Sequence, residues 1–116
     1  MKVIKYTDAP FKTFDADAVK GVRARVVIGK DDGAQKFCMR VFEIEKGGYT
    51  PRHAHPWEHE IFVHQGQGQV YQNGAWVDVE TDSVVFIPGD EEHQIRNTGE
   101  SKLVFVCLIP SGPPEL

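Results

Sequence analysis

"RHAHPWEHEIFVHQG", Arg52 to Gly66, holds four of the chain's five histidines, with two glutamates and a tryptophan between them. His53 and His55 stand two apart, so on extended backbone both imidazoles share one face, because side-chain direction repeats every second residue. Neutral imidazole is the commonest side-chain metal ligand, which makes an ion the natural shared target. A third donor is available from His59 or Glu60. The zinc-protease pattern H-E-x-x-H is not met: "HEIFVH" separates His59 from His64 by five on a strand-like run, so the helical pairing fails. His64 has no motif role and is expected to face outward.

Working outward, almost every segment reads as strand. "VRARVVI" (Val22 to Ile28) and "KFCMRVFEIE" (Lys36 to Glu45) are rich in β-formers. "QVYQNGAWVDV" (Gln69 to Val79) carries Asn73-Gly74, the strongest short hairpin signal, because a type I′ turn needs positive φ at both central residues. "SVVFIP" and "KLVFVCLIP" are apolar runs closed by proline, which cannot donate to a ladder. Only "DADAVK" (Asp15 to Lys20) offers a turn of helix, and the tail "SGPPEL" is expected to lie extended on the surface. Many short strands separated by Gly, Pro and Asn turns imply an all-β sandwich or barrel.

At 116 residues the chain suffices for one domain with a core and is too short for two. The reading is an N-terminal strand segment 1–20, a core barrel over about 21–110 and a tail 111–116. A net charge of −4 without a basic stripe argues against nucleic acid or an anionic membrane as partner. No apolar run approaches the ~20 residues of a membrane span, and the N-terminus lacks a signal-peptide core. With Cys38 and Cys107 in apolar runs and at no partner spacing, a reduced cytoplasmic protein is expected.

"GGYTPRHAHPWEHEIFVHQG" followed by "FIPGDEEHQIRN" resembles the two motifs of the cupin superfamily. Gly47, His53 and His55 fit G-x5-H-x-H-x3,4-E-x6-G, and Pro88, His93 and Asn97 fit G-x5-P-x-G-x2-H-x3-N. Asp82 and Asp90 stand where the second motif has glycine; aspartate tolerates left-handed turns, so a local change without a change of fold is expected. Six residues separate His59 from Gly66 and only five separate Glu60, which puts His59 in the slot usually held by glutamate. Parity agrees, since an inward His59 turns Ile61 and Val63 inward and sends Glu60, Phe62 and His64 out.

The whole pattern, with "KGVRARVVIG" and "VFVCLIP", is similar to the manganese-binding monocupins with a four-histidine site. That likeness implies a double-stranded β-helix (a jelly-roll barrel), a homodimer, an ion inside the barrel on His53, His55, His59 and His93, and oxidative chemistry. All-imidazole ligation by itself suits Zn, Cu, Fe or Ni, and manganese is the weakest binder of the series, so manganese follows from resemblance alone. An octahedral ion would keep two positions for water, dioxygen or substrate; a tetrahedral zinc would keep none.

Ile95 shares the face of His93, and Phe105, Cys107 and Ile109 share one face of the last strand, which in the resembling group lines the cavity near the metal. These four are expected either to wall a pocket for a small, fairly apolar molecule or to serve as ordinary barrel filling. Cys107 is then either a buried inert thiol or a cavity thiol open to oxidation. Arg40 alternates with Phe42 and Ile44, so it is either an inward arginine for a carboxylate or a surface residue at a strand edge. The expected activity is a Mn- or Fe-dependent oxidation using dioxygen or peroxide. The rivals are a binding module without turnover and a sugar isomerase or epimerase, for which the pocket offers few charged groups.

Overall fold

Nine strands dominate the computed structural model, which describes residues 1–116: β1 (Lys12–Ala16), β2 (Val19–Ile28), β3 (Phe37–Tyr49), β4 (His59–Gln65), β5 (Gln67–Gln72), β6 (Ala75–Glu80), β7 (Val84–Ile87), β8 (Gln94–Asn97) and β9 (Leu103–Pro110). Side-chain alternation decides which way each strand faces. In β4, His59, Ile61 and Val63 are buried while Glu60, Phe62, His64 and Gln65 are exposed. In β9 the inward set is Leu103, Phe105, Cys107 and Ile109.

Burying those faces requires the sheet to curl on itself. One side runs β1–β2–β3–β9–β4–β7, all antiparallel. The far end of the long strand β3 crosses to the other side, where Tyr49 pairs with Arg96 of β8, followed by β5 and β6. The result is a jelly-roll barrel closed around Val22, Ile44, Ile61, Val63, Leu103 and Phe105. Ile44 and Leu103, each 0% exposed, oppose one another in the β3–β9 ladder, and Phe42 stacks on Phe105 at 5.3 Å. A second cluster on the outer face, around Val27, Val41 and Val104, is covered by the N-terminal segment through Tyr6 and Ala9. There the buried Arg25 pairs with Glu43 and donates from Nε to the Ala9 carbonyl at 3.1 Å.

The turns answer to local chemistry. Asn73 and Gly74 take φ 47° and 81°, as the tight β5–β6 hairpin demands. Asp82 and Asp90 hold φ 75° and 65°, so the aspartates adopt the left-handed conformation that glycine takes freely, and the fold is unchanged. At Gly66, φ is 96° and a Cβ would collide with the Lys102 carbonyl, so this position needs glycine for both reasons.

One expectation is corrected. Asp15–Lys20 forms no helical turn: β1 runs to Ala16, the chain turns at Asp17–Ala18, and β2 begins at Val19, opposite Ala16. Antiparallel pairing satisfies these backbone groups better than one isolated helical turn, whose nucleation is costly. The tail lies at the surface, with Ser111 to Leu116 exposed or half-exposed, and it is pinned there. Glu115 accepts from the Lys30 amide through its side chain at 2.9 Å, and its carbonyl accepts from Arg40 Nη1 at 3.3 Å. Donors that the ladders leave unserved thus draw the tail back over the barrel. No helix is long and apolar enough to cross a membrane.

Candidate metal centre

The two motif regions are stitched together by backbone. His53 N–H donates to the His93 carbonyl at 3.1 Å and His93 N–H to the His53 carbonyl at 2.9 Å, an isolated antiparallel bridge that sets the two residues opposite one another. His59 opens β4, and His55 lies on the segment between. Ring centroids are 4.7 Å apart for His53–His93 and for His55–His59, 5.0 Å for His55–His93 and for His59–His93, and 5.1 Å for His53–His55. Ligand atoms of His53, His55 and His93 all lie within 4.8 Å of one another; His59 adjoins this trio, with its Nε2 2.8 Å from His55 Nε2.

The donor chemistry fits a transition ion. His55 Nδ1–H donates to the Trp57 carbonyl at 2.9 Å, and His93 Nδ1–H donates to the Glu91 carbonyl at 2.8 Å. Each bond fixes the proton on Nδ1 and leaves the Nε2 lone pair for an ion, the usual outer support of a metal-binding histidine. Trp57 also stacks on His55 at 4.2 Å and 9°. The His55–His59 spacing of 2.8 Å is close to the ~3 Å between right-angled ligands with bonds of about 2.1 Å. As a ligand through Nε2, His59 would carry its proton on Nδ1 and give it to Cys107 Sγ at 3.2 Å; with the proton on Nε2 instead, Nδ1 accepts from Arg40 Nη2 at 3.2 Å.

Burial pushes the imidazole pKa values down, because the charged form loses hydration, and neighbouring positive charge adds to the effect. His53 falls to about 4, with His93 and His55 as the next causes, and His59 falls to about 3, with Arg40 next. His93 is also lowered, although its bond to Glu91 acts in the opposite direction. These rings are neutral and ready to ligate at neutral pH. The sign for stability follows from proton counts. Between about pH 6.5 and 4 the unfolded chain protonates these histidines and the native state does not, so stability is full above that window and declines as pH falls through it. The urea midpoint of EDTA-stripped protein is therefore expected to drop between pH 7.5 and 5, above most carboxylate titration. A flat midpoint over that range would contradict the burial of these rings.

Arg40 and Cys107 complete the buried wall beside His59. Arg40 is 6% exposed, and its Nη2 lies 3.0 Å from Cys107 Sγ and 3.2 Å from His59 Nδ1. Burial raises the Cys107 thiol pKa, with Arg40 pulling the other way. Cys38, across the sheet from Ile109, is raised to about 11 by burial and then by Glu115, which keeps it a protonated filler.

The histidines open into a cavity of about 280 Å³. Arg40, Ile95, Phe105 and Cys107 line it, so the surface-edge alternative for Arg40 is ruled out. Ile109 is buried but does not line the cavity: it stands next to the end of β9 and pairs with Cys38 in the β3–β9 ladder. Sequence reasoning missed other wall residues: Phe14, Val19 and Val22 from β1–β2, and Pro114 and Leu116 from the tail. The alternation in "VRARVVI" was a usable signal for Val22. Nothing local marked the tail.

Comparison with known proteins agrees with this architecture. The family described as Cupin domain matches residues 40–109. The solved structure of the polyketide cyclase RemF from Streptomyces resistomycificus superposes with a TM-score of 0.90 at 31% identity, covering 98% of this chain and 82% of that one. A 1-methylthio-D-xylulose 5-phosphate methylsulfurylase from Rhodospirillum rubrum is 30% identical over 71 residues, 61% of this chain and 46% of that protein. An oxalate-binding protein from Thermotoga maritima is 32% identical over 68 residues, 58% of this chain and 56% of that protein. The chain thus spans about half the length of these curated relatives.

Proposed function

The chain belongs to the Cupin domain family, and on that footing we propose that it is a metal-dependent enzyme whose ion is held by His53, His55, His59 and His93 and whose substrate is a small, largely apolar molecule. The observation that carries this reading is the convergence of four imidazole rings on a cavity whose other lining side chains are mostly apolar, Arg40 and Cys107 apart. When bound, a divalent ion supplies Lewis acidity and, for manganese or iron, one-electron chemistry with dioxygen or peroxide. The chain's own residues do the rest. Trp57, Glu91 and Cys107 orient the rings, and Ile95 and Phe105 exclude water and hold the substrate's apolar body.

Oxidation by dioxygen or peroxide at manganese or iron is the first reading. The likeness to a polyketide cyclase over 98% of the chain supports a second, redox-neutral one in which the ion polarises a carbonyl. Protein loaded with Mn, Fe or Zn and offered small phenols and ring ketones separates them. Oxidant uptake with Mn or Fe, none with Zn and none in His53→Ala supports oxidation; product without oxidant uptake, equal in the Zn form, supports the second. Metal-dependent ligand binding with no product in any form would overturn the enzyme reading in favour of a binding module.

A homodimer is part of the same proposal. Phe62, Val84 and Phe86 are 44%, 76% and 59% exposed on the outer face of β4 and β7. The N-terminal segment does not cover them, since Tyr6 lies against His64 instead. An apolar face of this kind favours a second copy. Phe86→Asp is expected to convert a dimer to monomer in sedimentation velocity, and a monomeric parent protein at micromolar concentration would refute the pairing.

A further inference from the structure

Two arginines are buried to the same degree, and they are treated differently. Arg25, 6% exposed, faces the Glu43 carboxylate. Arg40, also 6% exposed, has no carboxylate within ion-pair distance. Its Nη1 reaches only the Glu115 carbonyl, its Nη2 reaches Cys107 and His59, and its Nε is buried with no partner at all. The carboxylate of Glu115, the residue whose carbonyl Arg40 reaches, is engaged by the Lys30 amide. A buried guanidinium without a counter-charge is costly, and an orphaned Nε–H adds to that cost. The surroundings sharpen the imbalance: neutral imidazoles lie on one side and the Phe42 ring, 5.0 Å away, on another. Any bound divalent ion would add positive charge to the same cavity.

We propose that Arg40 is the anchor for an anionic ligand, so that the cavity takes a small apolar or aromatic molecule bearing a carboxylate. This inference rests on the proposed substrate cavity and names the chemical class that enters it. The apolar body would lie against Ile95 and Phe105, which line the same cavity. The carboxylate would meet the guanidinium beside His59, supplying the charge that the protein omits. The planar fork of arginine suits such a group, whereas lysine would meet it as a point charge. His59 stands between Arg40 on its Nδ1 side and the imidazole cluster on its Nε2 side. The anion is therefore placed one ring's width from the metal ligands.

The test compares benzoate with benzamide, a neutral molecule of similar shape, on zinc-loaded and on EDTA-stripped protein. Calorimetry is expected to show benzoate preferred roughly 10- to 100-fold in both forms, the range of charge-assisted hydrogen bonds. Benzoate is also expected to shift the arginine Nε–H resonance that Arg40→Lys removes. In Arg40→Gln the preference is expected to vanish, with zinc content unchanged. Arg40→Lys should retain part of it and guards against a folding defect in the glutamine variant. Equal binding of the two probes would overturn the proposal. So would benzoate binding only when zinc is loaded and undiminished in Arg40→Gln, since the carboxylate would then sit on the metal. Because the stripped protein is tested separately, a failure of the metal-enzyme reading leaves this result intact, and the converse also holds.

Discussion

Replacing His93 with alanine is expected to lower affinity for a divalent transition ion by roughly 10²- to 10³-fold. Four-ligand zinc sites in small peptides bind with about 10–16 kcal/mol, or about 2.5–4 kcal/mol for each ligand. His53→Ala and His55→Ala should lose similar amounts, since their donor atoms form one group with that of His93. His59→Ala is the informative variant. Its ring is packed against those of His55 and His93, yet its donor stands outside the close trio. A loss equal to that of His93→Ala would establish four ligands; affinity within a few-fold of the parent would reduce the set to three and make His59 a neighbour. His64→Ala, on the exposed face of β4, is the control and should bind as the parent does. Competition against a chromophoric chelator, with metal content measured directly, reads all five proteins.

The second strong effect is structural and concerns a motif residue that is not a ligand. Asn97 is 5% exposed, and its side chain clasps the turn between β8 and β9. Its Nδ2 donates to the Ile44 carbonyl at 2.9 Å and the Ser101 carbonyl at 2.8 Å, while Oδ1 accepts from the Gly99 amide at 2.9 Å. Asn97→Leu keeps the volume but removes all three bonds. With about 1–3 kcal/mol for the buried Ile44 carbonyl left unpaired and about 0.5–1.5 kcal/mol for each of the two part-buried bonds, a loss of about 2–6 kcal/mol is expected. That is a large share of the 5–15 kcal/mol typical of a domain. The urea midpoint should fall with an unchanged slope. Asn97→Asp should also destabilise, because it sets a carboxylate oxygen against two carbonyls. A change below about 0.5 kcal/mol for Asn97→Leu, the scale of an ordinary surface substitution, would show that the clasp contributes nothing.

Much of the barrel was legible because it rests on local rules. The alternation of "HEIFVH" has period two, so placing one residue inward places all six, and β4 buries His59, Ile61 and Val63; Gln65 departs from it at the register shift after Val63. The Asn73-Gly74 hairpin and the left-handed Asp82 and Asp90 follow from backbone preferences carried by single residues. The choice of His59 over Glu60 for the inward position came from a count back from Gly66 against the cupin motif, with strand parity in agreement. Arg40 was harder: alternation with Phe42 and Ile44 suggested an inward side chain, but a strand edge could have exposed it. The β2–β3–β9 pairing, with Arg40 opposite Val26 on one side and Cys107 on the other, places it mid-sheet and removes that alternative.

Other features depend on chain segments that meet far from their neighbours in sequence. The tail's return to Lys30 and Arg40 spans 85 and 75 positions, and its residues have neither periodicity nor motif to announce it. Phe14 and Val19 became cavity wall only because β1–β2 forms a hairpin where one helical turn was expected. Ile109 shares its face with Cys107 yet is not part of the cavity wall, lying two residues further along β9 and next to its end.

Residue order therefore settled the strands, their inward faces and the histidines that share one, since each follows from the pleat and from turn chemistry within a few positions. Folding alone decided how far the rings converge, which guanidinium is left without an acid, and what closes the cavity. Those outcomes depend on curvature and on contacts across the barrel, where a displacement of one ångström separates a bond from a gap.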